Sequence, residues 1–429
     1  MARCARILKM KDLLSLHGKN ILGVNPPVHD FAFYDLWSKP IGLLYLLQKA
    51  REGGCDVRLI DCVRDGAEGQ MTFGREKIAK TEIRKPDAYR HIKRKYHHFG
   101  IGEEAFSQRL RNVPKPDTVF ITSAMTYWYG GVRWAIEKLR AELPGVPLVL
   151  GGIYARLCFE HASSLGADFI VAENWEPDAA YPAMDLYGHP PYGVVMTSFG
   201  CPMRCDYCAS GILWPRFKRR TVEEIMKEID FQANLGVIDF AFYDDALLLG
   251  KREYFYPLCR KLKARYNGAL RFHAPNGLHV REIDGECAAL LKETGFKTIR
   301  LSLESVDPSV AQESSGKVLR GEYAAAVKCC REAGWRREEC ETYILLGLPG
   351  QSLGSVAETI DFVKACGGKP KLAEFSPIPG TKSFDAAAKE IPEITAEPLL
   401  HNNSVYSSWI SGALAPNELQ ELKDRARRP

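Results

Sequence analysis

Over the first 175 residues, apolar positions come in short runs separated by glycine, proline and polar breaks. Ile21-Leu22-Gly23-Val24 is closed by Asn25-Pro26-Pro27, which predicts a strand ended by a breaker. Ile41, Leu44, Leu47 and Ala50 recur at helical spacing between Pro40 and Glu52, and Gly53-Gly54 ends that helix. Strands are predicted over 55–62, 118–123, 147–150 and 168–172, with a helix over 132–143. Strand–helix alternation with tight glycine breaks predicts an α/β domain over 1–175 built on a doubly wound parallel sheet, Rossmann-like in class.

A long insertion, about 64–117, interrupts this alternation. Within it, 84–98 carries Arg84, Lys85, Arg90, Lys93, Arg94 and Lys95 against Asp87 alone, with histidines and tyrosines interleaved. The segment reads as a solvated helical face or as a basic phosphate-binding patch; the former is favoured because the rest of the chain does not reinforce its charge. Residues 176–191, rich in proline and acid, predict a linker.

Beyond the linker, the alternation resumes over 192–381. Strands are predicted at 193–198, 238–243, 270–274, 298–303, 342–348 and 372–376, and helices at 222–234, 252–266, 283–294, 321–333 and 353–366. Six such units predict a parallel, partial (βα)6 barrel, whose chemistry belongs at the carboxyl ends of its strands. A short C-terminal tail, 382–429, ends in a helix over 416–427. Its stretch Leu399 to Tyr406 reads as a surface turn or as a cover for the barrel mouth.

Composition adds limits. The 429 residues suit two or three domains, and 46% apolar with 26% charged residues is ordinary globular composition. A formal charge of +5 is small for this length, so neither nucleic acid nor an anionic membrane is an expected partner. No apolar run approaches the ~20 residues of a membrane span. The first twenty residues, with Arg3, Arg6, Lys9, Lys11 and Lys19, lack the pattern of a signal peptide. A cytoplasmic location is expected.

Of thirteen cysteines, most are scattered singly and read as small buried apolar residues. One group has ligand spacing: Ser198-Phe-Gly-Cys201-Pro-Met-Arg-Cys205-Asp-Tyr-Cys208, at the end of the first barrel strand. Cys201, Cys205 and Cys208 sit on a loop loosened by Gly200 and Pro202 and can converge on one centre. Cuboidal iron–sulfur clusters usually take four cysteine ligands, so three leave one iron open to a cofactor or substrate. The alternative is zinc with a remote fourth ligand such as His189 or His161; closed zinc sites usually come as two ligand pairs, and no second pair is visible.

The Cys-x-x-x-Cys-x-x-Cys triplet, with Tyr207 before its last cysteine, resembles the radical S-adenosylmethionine (SAM) superfamily. The resemblance implies a 4Fe-4S cluster on Cys201, Cys205 and Cys208. Its open iron would be chelated by the methionine of SAM, and SAM would be reductively cleaved to a 5′-deoxyadenosyl radical. It also implies an external reductant such as flavodoxin or ferredoxin. By the same resemblance, Asp244 or Asp245 would meet the methionine amino group, with Asn276 as a polar side chain at the next strand end. Ser302 and Glu304 would meet the ribose, and Gly347 and Pro349 would form the turn beneath the adenine. Independently, carboxylates at the ends of apolar strands are costly unless paired, and an amino group and ribose hydroxyls would satisfy them. One of the two aspartates could instead cap the following helix, and the glycines could serve the turn alone.

In the front domain, ligands are expected where strand order reverses at the carboxyl edge. That points to Asn25, to Ser123 and Tyr127 in Ser123-Ala-Met-Thr-Tyr-Trp-Tyr129, and to Gly151 and Gly152. The aromatic residues could pack on a macrocycle, or equally form core or a domain interface. A domain of this kind ahead of the barrel is similar to the cobalamin-binding domain of one radical SAM subclass, although the Asp-x-His-x-x-Gly signature that supplies a histidine to cobalt is missing. The implied function is a cobalamin-dependent radical methyltransferase acting on an unactivated carbon. The runner-up is cobalamin-independent rearrangement, cyclisation or oxidation with the front domain as a docking module. A non-catalytic cluster or zinc protein is the reading from a different class. Methylthiolation fits poorly, because a second cysteine trio and a nucleic-acid-binding tail are not evident. The sequence does not name a substrate.

Overall fold

The computed structural model describes residues 5–9, 20–173, 177, 179–313 and 318–428. Arg3, Lys11 and Lys19 near the start, and Glu176 and Asp178 of the linker, lie outside the described residues. The chain divides into two units, one of residues 1–191 with 393–402, the other of 192–392 with 403–429. The stretch read from the sequence as one tail is therefore shared between the two units.

The first unit is built on β1 (Arg6–Ile7), β2 (Asn20–Asn25), β3 (Asp56–Asp61), β4 (Thr118–Ile121), β5 (Leu148–Leu150) and β6 (Phe169–Ile170). All pair in parallel, in the order β1-β6-β5-β4-β2-β3. From β2 onward this is the flavodoxin-like order, with its switch point between β2 and β4. Leu22, Val24, Val119 and Leu148 are buried, as expected for strands covered on both faces. The two-residue β1 is too short to show as a periodic run in the sequence.

The insertion differs from its sequence expectation. Lys80–Ile83 and Tyr96–Phe99 are antiparallel strands, and Val28–Asp30 adds a third. Pro86 breaks any helix through the middle, and Tyr89, Ile92, Tyr96 and His98 are buried. The basic side chains Arg90, Lys93 and Lys95 remain exposed, but on a strand–turn–strand rather than a helical face.

The second unit has β7 (Gly193–Val195), β8 (Asp239–Phe242), β9 (Arg271–His279), β10 (Phe296–Glu304), β11 (Cys340–Leu346) and β12 (Lys369–Glu374). They pair in parallel in sequence order from β7 to β12. No pairing closes β12 onto β7 among the described residues, so the barrel is partial. Ile299, Leu301 and Leu303 join the core beneath the helices. Alternation then turns Arg300, Ser302 and Glu304 to the barrel interior. No helix among the described residues is long and apolar enough to cross a membrane.

Candidate active site

The cysteine loop is rooted by a carboxylate. At the end of β8, Asp244 is 3% exposed. It accepts the Thr197 backbone N–H at 3.1 Å, the Thr197 hydroxyl at 2.5 Å and the Ser198 hydroxyl at 2.7 Å. Burial raises its pKa, and those donors work in the opposite direction by favouring the ionised form. Asp244 is thus committed to the strand that leads into Cys201. The neighbouring Asp245 is exposed and accepts the Ser210 hydroxyl at 2.8 Å. Ser210 in turn donates its backbone N–H to Cys208 Sγ at 3.5 Å, and the thiol lies 3.2 Å from its hydroxyl. The choice that the sequence leaves open falls out as two roles: Asp244 positions the loop, and Asp245 is linked through Ser210 to Cys208.

On that loop Cys205 is buried, Cys201 half-buried and Cys208 exposed. The Cys208 N–H donates to the Cys205 carbonyl at 3.1 Å, and the Asp206 carbonyl accepts the Ser383 N–H at 3.0 Å. Lys382 adds an ion pair to the Asp206 carboxylate at 2.9 Å. The Tyr207 hydroxyl is buried beside the Cys205 thiol. Burial, the Glu304 charge and the Cys205 thiol all push its pKa far upward, so the phenol stays protonated beside both groups.

The other predicted residues sit at neighbouring strand ends. Asn276 donates to the Tyr243 carbonyl at 3.0 Å, tying β9 to β8. Ser302 is buried on the interior side of β10. Glu304 is 6% exposed and holds φ +69° at an irregular register between β10 and β11. A carboxylate residue in the left-handed region is strained, and such strain concentrates at functional sites. Gly347 at the end of β11 has φ +87°. The Gln351 side chain accepts its N–H at 2.8 Å and donates to the Leu345 carbonyl at 3.0 Å, which fixes the turn carrying Pro349.

In the first unit the expected residues share the carboxyl edge but are occupied differently. Asn25 donates to Asp61 at 2.8 Å. The Ser123 hydroxyl donates to the Gly151 carbonyl at 2.6 Å. Gly152, at φ +98°, lies so close to Ser123 that an added Cβ would be 2.2 Å from its carbonyl oxygen. Gly152 thus serves the packing of the edge itself, whereas a Cβ on Gly151 would meet nothing closer than 3.9 Å. Tyr127 and Tyr129 are buried, and the segment 393–402 packs on them: Glu397 accepts the Tyr129 hydroxyl at 2.9 Å, and His401 lies 2.9 Å from the Thr126 hydroxyl. His161, an alternative zinc ligand by sequence, is hydrogen-bonded to Tyr154 at 2.6 Å. Met125 and Ile153 remain exposed at this edge, at 42% and 40%.

The sequence profile of the Radical SAM superfamily matches residues 195–363. Residues 195–363 are a radical SAM domain. Among curated proteins, the chain is 26% identical over 202 residues to an uncharacterized methyltransferase of Pyrococcus horikoshii, covering 46% of this chain and 42% of that protein. It is 24% identical over 259 residues to the ribosomal protein uS12 methylthiotransferase RimO of Thermosipho africanus, covering 57% and 56%. The chain thus spans about half the length of these relatives.

Among solved structures, the fold resembles the radical SAM methyltransferase TsrM from Kitasatospora setae, with tryptophan and a SAM analogue bound. The TM-score is 0.62 at 16% identity, over 87% of this chain and 76% of that one. It also resembles the cobalamin-dependent SAM radical enzyme OxsB, with aqua-cobalamin and SAM bound. There the TM-score is 0.60 at 11% identity, over 90% and 57%. These likenesses span both units and show the fold.

The radical SAM domain contains every barrel residue singled out from the sequence. Residues the sequence did not single out are the ones that hold them: Thr197 and Ser198 under Asp244, Ser210 between Asp245 and Cys208, and Gln351 under Gly347. Their only sequence signal is adjacency to a motif. Among the described residues, no three His, Cys, Asp or Glu side chains close round a single ion. A cuboidal cluster asks for a different arrangement, because each thiolate takes its own iron.

Proposed function

We propose that the barrel unit binds a 4Fe-4S cluster through Cys201, Cys205 and Cys208 and holds SAM across the carboxyl ends of β8 to β11. The observation that carries this reading is the three-thiol loop, rooted by Asp244 and bordered by Asp245 and Glu304. The donor set fits the cluster, since three thiols on one short loop leave one iron of a cuboidal cluster without a protein ligand. When bound, the cluster and SAM supply one-electron reductive cleavage of the sulfonium. The chain's part is placement. The thiolates would fix three irons, Asp245 and Glu304 offer carboxylates for an amino group and hydroxyls, and the Gly347–Pro349 turn, held by Gln351, would border the adenine.

The reaction assigned is methyl transfer to an unactivated carbon with cobalamin on the front unit. Support comes from the strand-order switch between β2 and β4 and from the fold shared with TsrM and OxsB. Met125 and Ile153 are exposed apolar residues at that edge, suited to contact with a corrin ring.

Anaerobic reconstitution is expected to give close to four irons and four sulfides per chain, with the charge-transfer absorbance lost in Cys205→Ala. Reductant and SAM should then release 5′-deoxyadenosine. Expression with cobalamin should leave about one corrinoid per chain, read from the visible spectrum. A zinc-only protein sinks the cluster reading, and a brown protein without corrinoid sinks methyl transfer alone.

A further inference from the structure

The segment that follows residue 402 belongs to the barrel unit, and the family profile does not reach it. After a short turn of helix, Asn403–Val405, it forms a π-helix, Tyr406–Ile410. Such turns are rare and concentrate at functional sites. The π-helix lies over the carboxyl ends of the last two strands. Tyr406 packs edge-on against Phe375 with ring centroids 5.5 Å apart, and the Phe375 N–H bonds the Leu346 carbonyl at 2.8 Å.

Ser407 is directed onto Gly347. A Cβ built on Gly347 would come within 1.9 Å of the Ser407 hydroxyl oxygen, so that hydroxyl occupies the space a side chain at 347 would need. Ser407 is 1% exposed, and its hydroxyl has no hydrogen-bond partner among the described residues. The Ser408 hydroxyl is likewise buried without a partner. The backbone around them is well satisfied: Leu414 donates to the Ser407 carbonyl at 3.0 Å, and the Ser411 hydroxyl to the Tyr406 carbonyl at 3.2 Å. A fully buried hydroxyl without a partner, on a backbone otherwise satisfied, calls for an explanation, and a ligand at the strand end supplies one.

We infer that Ser407 is a binding residue for the nucleoside half of SAM, hydrogen-bonding the polar edge of the adenine over the Gly347 turn. The inference rests on the proposed SAM site and adds to it a residue from outside the matched domain. The π-helix thereby acts as a wall of the cofactor site, with the serine hydroxyl serving as donor or acceptor as the ring requires.

The test compares the cluster-loaded full chain with its Ser407→Ala variant at equal iron content. Anaerobic equilibrium dialysis measures SAM, and competition measures 5′-deoxyadenosine and free methionine. The variant should bind SAM and 5′-deoxyadenosine about 3- to 10-fold more weakly, with methionine unchanged. The metal-free variant should melt at or above the wild-type temperature, because an unpartnered buried hydroxyl has been removed. Unchanged SAM affinity overturns the inference, as does a weakened methionine affinity. A lower melting temperature with intact SAM binding would make the hydroxyl structural, and also overturns it. A wild-type chain that carries the cluster but binds no SAM removes the proposed cofactor site together with this inference. Equal affinities in the two proteins remove Ser407 only.

Discussion

Asp244 and Asp245 show why neighbouring residues of one type need structure to be told apart. Successive side chains at a strand end diverge, and the partners that decide their roles, Thr197 and Ser198 for one and Ser210 for the other, lie 35 to 47 positions away in the sequence. The cysteines were legible because their chemistry is local; the residues that aim them were not, because an aspartate–threonine bond has no spacing rule. Replacing Asp244 tests this directly. Asparagine keeps the shape but loses the charge and one acceptor oxygen, leaving buried donors from Thr197 and Ser198 unmatched. Asp244→Asn should cost the metal-free chain about 1–3 kcal/mol in urea unfolding. It should also lower the iron retained per chain after reconstitution. Wild-type stability together with wild-type iron content would show that Asp244 does not root the loop.

Among the elements, most barrel helices and strands could be read from apolar periodicity, and the helices Val222–Asn234 and Pro416–Arg427 begin and end where the sequence places them. The failures have physical causes. The basic insertion has enough charge to resemble a helix surface, yet alternate burial around Tyr96 and His98 makes it a strand. The five-residue π-turns at Lys251–Phe255 and Tyr406–Ile410 change the apolar spacing too little to be seen.

The helix Val222–Asn234 also carries a start signal. Thr221 Oγ1 accepts the Glu224 N–H at 3.2 Å, and the Glu224 carboxylate accepts the Thr221 N–H at 2.7 Å, a reciprocal capping box. The residue before it, Arg220, donates its N–H to the Thr197 carbonyl at 3.0 Å and pairs with the buried Glu228. This start is therefore tied to the strand that leads to the cysteines. Thr221→Ala should cost about 1 kcal/mol in urea unfolding. Thr221→Ser should restore most of it, since serine keeps the accepting hydroxyl. An alanine variant as stable as wild type would show that the cap contributes nothing here.

At the scale of the whole chain, two α/β units were legible from the repeated alternation, and the strand-order switch of the first only as a class. The return of 393–402 to the first unit was not, because contacts between Glu397 and Tyr129 or between His401 and Thr126 join positions more than 260 residues apart. That return makes the first unit sensitive to acid. His401 is buried, with its ring nitrogens 2.9 Å from the Thr126 hydroxyl and 2.8 Å from the Ile394 carbonyl, and burial pulls its pKa from 6.5 down to about 4. The folded state thus favours the neutral ring. As pH falls below 6.5 the unfolded chain takes up the proton first, and stability is lost down to about pH 4. A depression of that size corresponds to about 3 kcal/mol. Burial pushes Asp65 up to about 6, which stabilises the fold as pH falls over part of the same range, so the bare slope of wild type is not diagnostic. The informative quantity is the difference between wild type and His401→Gln, whose side chain keeps hydrogen bonding but does not titrate. The substitution should destabilise the chain at pH 7.5, and that penalty should shrink or reverse by pH 4.5. Amide exchange within 393–402 should accelerate on acidification in wild type more than in the variant. Parallel stability curves would mean that His401 keeps its ordinary pKa in the folded chain and that the returning segment is not held by its neutral ring.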